Sequence, residues 1–278
     1  MANTIDTYWD VDGVSLNTLA RNIETDEGLM APPPLRGSNV VIPHRVGTQR
    51  VSKTVDERVL NLKMWVRATD DDGAYPAGRK AQRALYESNM RALRQLLWRS
   101  GEPIQLRKRF YVDGVLRTAV ATAEFDGGMD PSKIGHGLGK FTVDLRLADP
   151  YFYDEAYTTI ALGAADVTTV VPGDGRTNKI LINAIGSRNS PIVNNRTLGV
   201  VTQFNQDIPA GASLQIDVEK YKALYTPPGG TQTTMNSKAL HTGDPSWMVL
   251  KPGPNTLRLT STGAGLGAVN LQYKAAWL

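Results

Sequence analysis

Only one stretch of this chain combines the composition and the periodicity of a long helix, and this feature constrains the fold most. Residues 76–98 read PAGRKAQRALYESNMRALRQLLW, with neither Pro nor Gly after Gly78 and with many strong helix formers. At about 100° per residue they form one apolar stripe, made of Ala81, Leu85, Ala92, Leu93, Leu96 and Leu97. The opposite face is charged and holds Lys80, Arg83, Glu87, Arg91 and Arg94. The sequence therefore predicts a single helix in a chain built mainly from strands.

The rest of the first half shows the alternation of half-buried strands. Apolar side chains occupy every second position in residues 60–66 and again in 141–147. A weaker strand is expected at 39–46, where Pro43 removes a backbone donor. With its one helix, this half is predicted to be α+β.

A β-hairpin is predicted in the same half. Residues 105–111 and 115–125 are both strand-like, and Asp113-Gly114 lies between them. Asp-Gly readily adopts the positive φ angles of a tight hairpin turn. We therefore expect these two strands to pair directly.

The second half contains no segment that matches this helix. Six short segments read as strands, and turn sequences such as Pro-Gly-Asp-Gly and Pro-Gly-Pro-Asn separate them. The predicted strands are 180–185, 198–204, 214–218, 247–250, 257–260 and 269–277. Many short strands with such turns indicate a sandwich or a barrel.

A change in composition near the middle of the chain predicts two domains. Residues 1–150 hold 21 Lys and Arg and 19 Asp and Glu, whereas residues 151–278 hold only 10 and 8. The second part is rich in Thr, Asn, Gly and Val, and no long Pro- or Ser-rich linker precedes it. The predicted boundary lies at the segment Asp149-Pro150-Tyr151-Phe152-Tyr153.

The composition argues against most catalytic and membrane classes. Cysteine is absent, which excludes disulfides, thiolate zinc sites and cysteine nucleophiles, and His44, His136 and His241 lie far apart. No apolar run approaches the roughly 20 residues that span a bilayer, and the acidic, polar start argues against a secretory signal. A net charge of +4 does not by itself indicate a nucleic-acid partner. We expect no enzyme activity, catalytic residue, cofactor or metal.

Three local motifs could be functional sites, but for each of them a purely structural role is favoured. The run Asp70-Asp71-Asp72 could hold a hard cation, but it lacks the later ligands of a calcium loop and precedes the helix. Residues 135–139 are glycine-rich, yet they lead into a strand rather than a phosphate-binding helix N-terminus. Asp149, Asp154 and Glu155 could be glycosidase carboxylates, although Asp before Pro is common in turns. A solvated loop and turns are favoured.

Basic and aromatic residues suggest a surface that contacts other subunits. The run Arg107-Lys108-Arg109 and the basic helix face could bind nucleic acid. However, Arg83 and Glu87 have the spacing of a surface ion pair, and acidic residues balance basic ones overall. Trp65 and Trp98 on otherwise polar faces favour subunit contact, because Trp and Arg are enriched at interfaces.

A proline run offers a second element of such an interface. Residues 31–37 read APPPLRG, which predicts either a stiff extended arm that docks on a neighbour or an ordinary rigid loop. Our hypothesis is that residues 28–58 and the helix face 80–98 contact neighbouring subunits. The predicted interface residues are Pro32, Pro33, Pro34, Arg36, Trp65, Arg83, Arg91, Arg94 and Trp98.

The second half offers a candidate sugar site. Asn195 and Arg196 could bond sugar hydroxyls, and Trp247 could stack on a pyranose ring. The alternative, which we favour, is that Trp247 belongs to the core and the Asn residues form turns.

Four segments, in order along the chain, carry a family resemblance. They are Pro-Pro-Pro-Leu-Arg-Gly, the helix leading into Gly-Glu-Pro-Ile-Gln-Leu, the junction Ala-Asp-Pro-Tyr-Phe-Tyr, and residues 247–255, WMVLKPGPN. In these segments, and in their order over nearly the full chain, the sequence resembles the distal tail proteins of long-tailed (siphovirus-type) bacteriophages.

The resemblance implies a homohexameric ring at the tip of a phage tail. Residues 1–150 would be a ring-forming, tail-tube-like β-sandwich with one helix, and residues 151–278 an outward-pointing, galectin-like β-sandwich. The ring would join the major tail tube protein to the hub and fibre proteins of the baseplate, with the tape measure protein as a further candidate neighbour and DNA only in transit through the lumen. The protein would be made in the host cytoplasm, without membrane insertion, and built into the virion.

The resemblance therefore favours a structural role without catalysis. The alternative is a carbohydrate-binding module or adhesin that recognises host glycans through the second domain. Galectins bind sugar through a His, an Asn and an Arg that alternate along one strand, together with a Trp. The segment Asn194-Asn195-Arg196 has no such His and a different spacing.

Overall fold

A computed structural model describes residues 8–27, 32–37, 40–41, 48–49, 54–99, 101–133, 137–243, 247–261 and 268–278. The chain divides into two compact units, Met1–Phe152 together with Leu278, and Tyr153–Trp277. The described residues are mainly strands in antiparallel sheets, with one α-helix. The predicted mainly β fold is confirmed.

The first unit combines one large sheet with the helix. Its elements are β1 (Tyr8–Val11), β2 (Val14–Ser15), β3 (Arg21–Glu27), β4 (Leu35–Arg36), β5 (Val40–Val41), β6 (Thr48–Gln49), β7 (Thr54–Val55), β8 (Arg58–Arg67), α1 (Arg79–Leu97), β9 (Ile104–Val112), β10 (Val115–Gly128), β11 (Ser132–Lys133) and β12 (Leu138–Leu147). The sheet has the order β2-β1-β9-β10-β12-β8-β3, with β11 paired to β12. The pairs β4–β7 and β5–β6 form two separate two-stranded ladders.

Alternation sets which face of this sheet is buried. In β8 the residues Leu60, Leu62, Met64 and Val66 are buried and the residues between them are not. The partner strand β12 alternates in the same way, with Leu60 opposite Leu145. One-sided burial therefore fixes the register, because a shift by one residue would expose the whole apolar set.

The predicted helix is present, but its buried stripe differs from the prediction. It buries Tyr86, Met90, Leu93 and Leu97, whereas Ala81 and Ala92, which the sequence pattern assigned to the core, are exposed. The large side chains turn toward the sheet instead of the alanines. Gly139 of β12 makes room for this arrangement, because a Cβ there would collide with the Tyr86 hydroxyl.

The helix also begins later than the sequence suggested. The helical sequence pattern starts at Pro76, but α1 begins at Arg79. Gly78 caps it with a φ of 88°, a left-handed value that glycine adopts without strain. The chain therefore bends immediately before the helix.

The predicted hairpin is confirmed. Residues in β9 and β10 pair from Val115–Val112 to Ala123–Ile104. Asp113 and Gly114 have φ values of 50° and 77°, as a two-residue primed turn requires.

The second unit contains two antiparallel sheets. Its elements, from the boundary onward, are β13 (Phe152–Asp154), β14 (Thr158–Leu162), β15 (Val167–Val171), β16 (Ile180–Ile185), β17 (Ile192–Asn195), β18 (Val200–Phe204), β19 (Ser213–Asp217), β20 (Lys222–Thr226), β21 (Thr233–Thr234), a 3-10 turn (Asn236–Lys238), β22 (Ala239–Thr242), β23 (Gly253–Thr260), β24 (Ala268–Tyr273) and β25 (Ala276–Trp277). One sheet has the order β14-β24-β16-β19-β20-β21 and the other β15-β23-β17-β18-β22.

The two sheets pack their apolar faces together as a sandwich. Residues alternate between buried and less buried in β16, β18, β23 and β24. Phe204 of one sheet stacks on Tyr225 of the other at 6.3 Å between ring centroids. The strand predicted at 247–250 is wrong, because this segment contributes only an isolated bridge from Leu250 to Thr177.

Candidate interaction surfaces

The outward flank of helix α1 carries basic residues and an exposed indole. Arg83 forms a 2.9 Å ion pair with Glu87. Arg91 and Arg94 are exposed, and Trp98, at the C-terminal cap, is 66% exposed. The helix therefore presents Arg83, Arg91, Arg94 and Trp98 to solvent.

The loop before this helix is acidic and partly apolar. The side chain of Asp70 accepts a 2.7 Å hydrogen bond from the backbone N–H of Ala74 and so holds a turn. Asp71 and Asp72 are exposed, as is Tyr75. Within the described residues no group of three or more His, Asp or Glu is placed to hold a metal.

Charged side chains, several of them in ion pairs, lie on the sheet face opposite the helix. Trp65 is half-buried, with the guanidinium of Arg67 4.3 Å above its ring. Arg146 lies 2.9 Å from Asp126 on this face, and this carboxylate raises the pKa of the arginine. Ion pairs of this kind leave fewer free cations on this face to hold phosphate tightly.

The basic run that suggested nucleic-acid binding is not a basic patch. Arg107 forms an ion pair with buried Asp10. Lys108 is buried, with its ammonium 5.3 Å from the ring of Trp9. Arg109 alone of the three is exposed, and its guanidinium lies 4.7 Å from the ring of Tyr8.

The proline run has partners within its own unit. Pro33 is buried while Pro32 and Pro34 are exposed. Leu35 and Arg36 pair with Val55 and Thr54.

An ion pair closes this short ladder. Arg36 lies 2.5 Å from Asp56. The backbone N–H of Glu57 and this guanidinium hold the pKa of Asp56 below its usual value. The described part of the run is therefore locally anchored, and the rest of the predicted 28–58 interface and of the 39–46 strand lies largely outside the described residues.

The predicted sugar contacts Asn195 and Arg196 differ in their exposure. Asn195 has an exposure of 0%, and its amide donates a 2.9 Å hydrogen bond to the backbone carbonyl of Val249. Arg196 is exposed but forms a 2.7 Å ion pair with Asp166. Asn195 is therefore part of the core and does not reach the surface.

Trp247 belongs to an aromatic cluster. Its ring stacks on His241 at 3.5 Å between centroids and meets Tyr221 edge-on at 5.0 Å. The Nδ1 of His241 lies 3.1 Å from the hydroxyl of Thr202, and burial lowers the pKa of His241 to about 4. One face of the indole is thus covered by an imidazole.

Sequence reasoning missed the buried polar contacts that organise each unit. In the first unit, Asp10 is buried and pairs with Arg107. In the second, the indole N–H of Trp277 donates a 2.7 Å hydrogen bond to Asp154. No local signal marks either pair, because the partners are 97 and 123 residues apart.

No helix in the described part of the chain combines the length and apolar character that crossing a membrane requires.

Comparison with known proteins gives a match in structure only. No protein-family profile matches the sequence, and no curated protein matches it. The fold matches the crystal structure of SPP1 Dit (gp 19.1), described as a paradigm of the hub adsorption apparatus in phages that infect Gram-positive bacteria. The TM-score is 0.68 at 14% identity, over 98% of this chain and 99% of that one.

Two structures of the phage P2 baseplate in its activated conformation, with Ca and with Sr, also match. Their TM-scores are 0.41 and 0.39, at 7% and 8% identity. They cover 97% and 96% of this chain, and 98% and 97% of theirs.

The structural similarity of this chain to known proteins therefore rests on the match to SPP1 Dit. It spans both units, as the sequence resemblance did. This chain therefore shares the fold of SPP1 Dit over nearly its full length.

Proposed function

We propose that this protein is a structural component of a phage tail tip. The observation that carries the proposal is the match to SPP1 Dit over nearly the whole of both chains. A match confined to one unit would leave the role of the other unit open. This match covers the first unit and both sheets of the second unit.

In this proposal the protein acts by assembling with itself. The first unit forms a hexameric ring, and the second points outward. A ring needs unlike patches on each subunit, so that one patch meets a different patch on the next. The basic helix flank and the acidic loop of the first unit supply such patches.

The ring joins the tail tube protein on one side to hub and fibre proteins on the other, with the tape measure protein as a further neighbour. The protein is then located at the distal end of the tail in the virion, after synthesis in the host cytoplasm. DNA only passes through the lumen. The ion pairs of Arg146 and Lys140 support this point. A lumen wall without clusters of unpaired Lys and Arg side chains would not hold the DNA phosphates tightly, so DNA could slide past it.

We also propose that the protein is not an enzyme. Two of the acidic groups with catalytic potential have structural partners: Asp154 accepts a hydrogen bond from Trp277, and Asp70 holds a turn. His241 has lost the basicity of a general base near neutral pH, since burial lowers its pKa to about 4. No specific contact favours the carbohydrate-binding alternative, because Asn195 is buried and Trp247 is stacked on His241.

The proposal is tested by imaging phage particles that carry an affinity-tagged copy of this protein. A gold-labelled antibody to the tag should decorate the tail tip, with a ring of six copies visible in averaged images. Labelling on the capsid or along the tail shaft would contradict the proposal. Purified protein should bind DNA only weakly, so tight, salt-sensitive DNA binding would contradict the transit role.

A further inference from the structure

Two exposed patches of the first unit carry unpaired charge of opposite sign. The basic patch consists of Arg91, Arg94 and Trp98. All three are exposed, and neither arginine forms an ion pair with a described residue. Glu87 on the same flank is occupied by Arg83. A freely exposed Trp beside two unpaired Arg has the composition that dominates binding energy at protein interfaces.

The acidic patch consists of Asp71, Asp72, Tyr75 and Leu19. Neither aspartate forms an ion pair with a described residue. Tyr75 and Leu19 are 59% and 54% exposed. Leu19 lies against the loop, since a Cβ on Gly73 would be 2.8 Å from its Cδ1. The acidic patch therefore complements the basic patch. Its aspartates are opposite in charge to the two arginines, and Tyr75 and Leu19 offer an apolar surface to the indole of Trp98.

The two patches lie on opposite flanks of the same helix. Asn89 donates hydrogen bonds to the carbonyls of Arg67 and Thr69, which places the start of the acidic loop on its flank. Trp98 is nine residues further along, which at about 100° per residue is half a turn away. Arg91 and Arg94 are displaced from Asn89 by roughly 200° and 140° on the same basis.

This placement prevents the patches from meeting within one molecule. The helix with its side chains is about 10–12 Å thick and stands between them. Copies placed side by side, however, would bring the basic flank of one against the acidic loop of the next. Contacts of this kind join unlike patches and can close into a ring.

We propose that the basic patch of one protomer binds the acidic patch of its neighbour. This contact rests on the proposed self-assembly and specifies which surfaces carry it. The occupant is a second copy of this chain rather than nucleic acid, because the same unit presents both the cationic aromatic surface and its anionic, apolar counterpart. The contact is electrostatic at its edges and apolar at its centre, where Trp98 meets Tyr75 and Leu19.

Charge reversal on the full-length protein tests the contact. The variants are Arg91→Glu/Arg94→Glu, Asp71→Lys/Asp72→Lys, and the fourfold combination of both pairs. All four positions are exposed, so the circular dichroism spectrum should match that of the unchanged protein. Lys222→Glu/Lys238→Glu makes the same charge change as the first variant at exposed positions of the second unit and serves as its control.

Sedimentation velocity at low salt gives the readout. Each double reversal should weaken association about tenfold or more, because like charges then face each other. The fourfold variant should assemble with itself again, since its charges are swapped and still complementary, and should not co-assemble with the unchanged protein. The control should behave as the unchanged protein does.

The outcomes separate this contact from the ring itself. An unchanged protein that forms a ring whose stability none of the reversals alters would overturn the contact and leave the ring standing. Reversals that dissociate the ring without recovery in the fourfold variant would also overturn it. An unchanged protein that stays monomeric would overturn the ring, and the contact with it.

Discussion

The buried indole of Trp277 donates a hydrogen bond from Nε1 to the carboxylate of Asp154, at 2.7 Å. The backbone N–H of Asp154 also donates to the carbonyl of Ala275, at 3.0 Å. Together these bonds fasten the last strand of the second unit to its first residues, across 123 positions of sequence. Two hydrogen bonds thus connect the ends of this unit, and the side chains of Asp154 and Trp277 are both buried.

Removing the acceptor of this bond should destabilise the second unit. We expect Asp154→Ala to lower the free energy of unfolding by about 1–3 kcal/mol, because it leaves a buried N–H without a partner. Asp154→Asn keeps an acceptor oxygen and should cost less. Urea unfolding followed by Trp fluorescence measures both. An alanine variant as stable as the unchanged protein would show that the bond contributes nothing.

Asn195 and Arg196 should respond to mutation very differently. Asn195→Ala removes a buried donor to the Val249 carbonyl and should cost about 1–3 kcal/mol. Arg196→Ala breaks an exposed ion pair to Asp166 and should cost at most about 1 kcal/mol. Thermal unfolding of both variants checks this. A glycan array that detects binding lost on Asn195→Ala, with stability unchanged, would contradict the structural role of the residue.

His241 should make the protein less stable in mild acid. Its pKa is about 4 in the folded state, against an ordinary value of 6.5, because burial disfavours the charged ring. As pH falls, the imidazole is therefore protonated first in the unfolded chain. The stability of the folded state that depends on neutral His241 is fully present above pH 6.5 and is lost as pH falls to about 4. His241→Phe keeps a ring against Trp247 but cannot titrate. Between pH 7.5 and 4.5 the unchanged protein should lose up to about 2.5 kcal/mol more stability than this variant, because this interval covers most of the difference between the two pKa values. Equal losses would contradict the assignment.

Gly139 and Tyr86 should be coupled. Gly139→Ala places a Cβ against the Tyr86 hydroxyl and should cost about 1–3 kcal/mol. The hydroxyl itself is buried and has no hydrogen-bond partner among the described residues, so Tyr86→Phe should be nearly neutral and should relieve part of the clash. A double-mutant cycle in urea measures the recovery. Strictly additive effects would show that the two groups do not touch.

The sequence predicted those elements whose periodicity reflects one-sided burial. Strands β8 and β12 alternate because one face packs under the helix, and the Asp113-Gly114 turn has strict backbone requirements. The missed strands include β14, β15 and β22 at sheet edges, and also the interior strands β17 and β20. Edge strands have one hydrogen-bonded neighbour and weaker patterning, so composition alone did not separate them from loops.

The candidate sites were harder to predict because they depend on distant contacts. Nothing near Asn195 in sequence indicates that its amide meets Val249, and the stacking of Trp247 on His241 depends on how the segment of Trp247 packs against β22. The helix stripe was displaced because volume, not hydrophobicity alone, decides which residues face the sheet, and Gly139 opens space for Tyr86. By contrast, Arg91, Arg94 and Trp98 are exposed as expected, since helical spacing with polar neighbours is a local property.

The measurement that tests the central claim most directly is the mass of the purified full-length protein in solution. Sedimentation equilibrium should give six times the 30.3 kDa of one chain, with dissociation as salt is raised. A single species of 30.3 kDa at every concentration and salt tested would contradict the proposed ring.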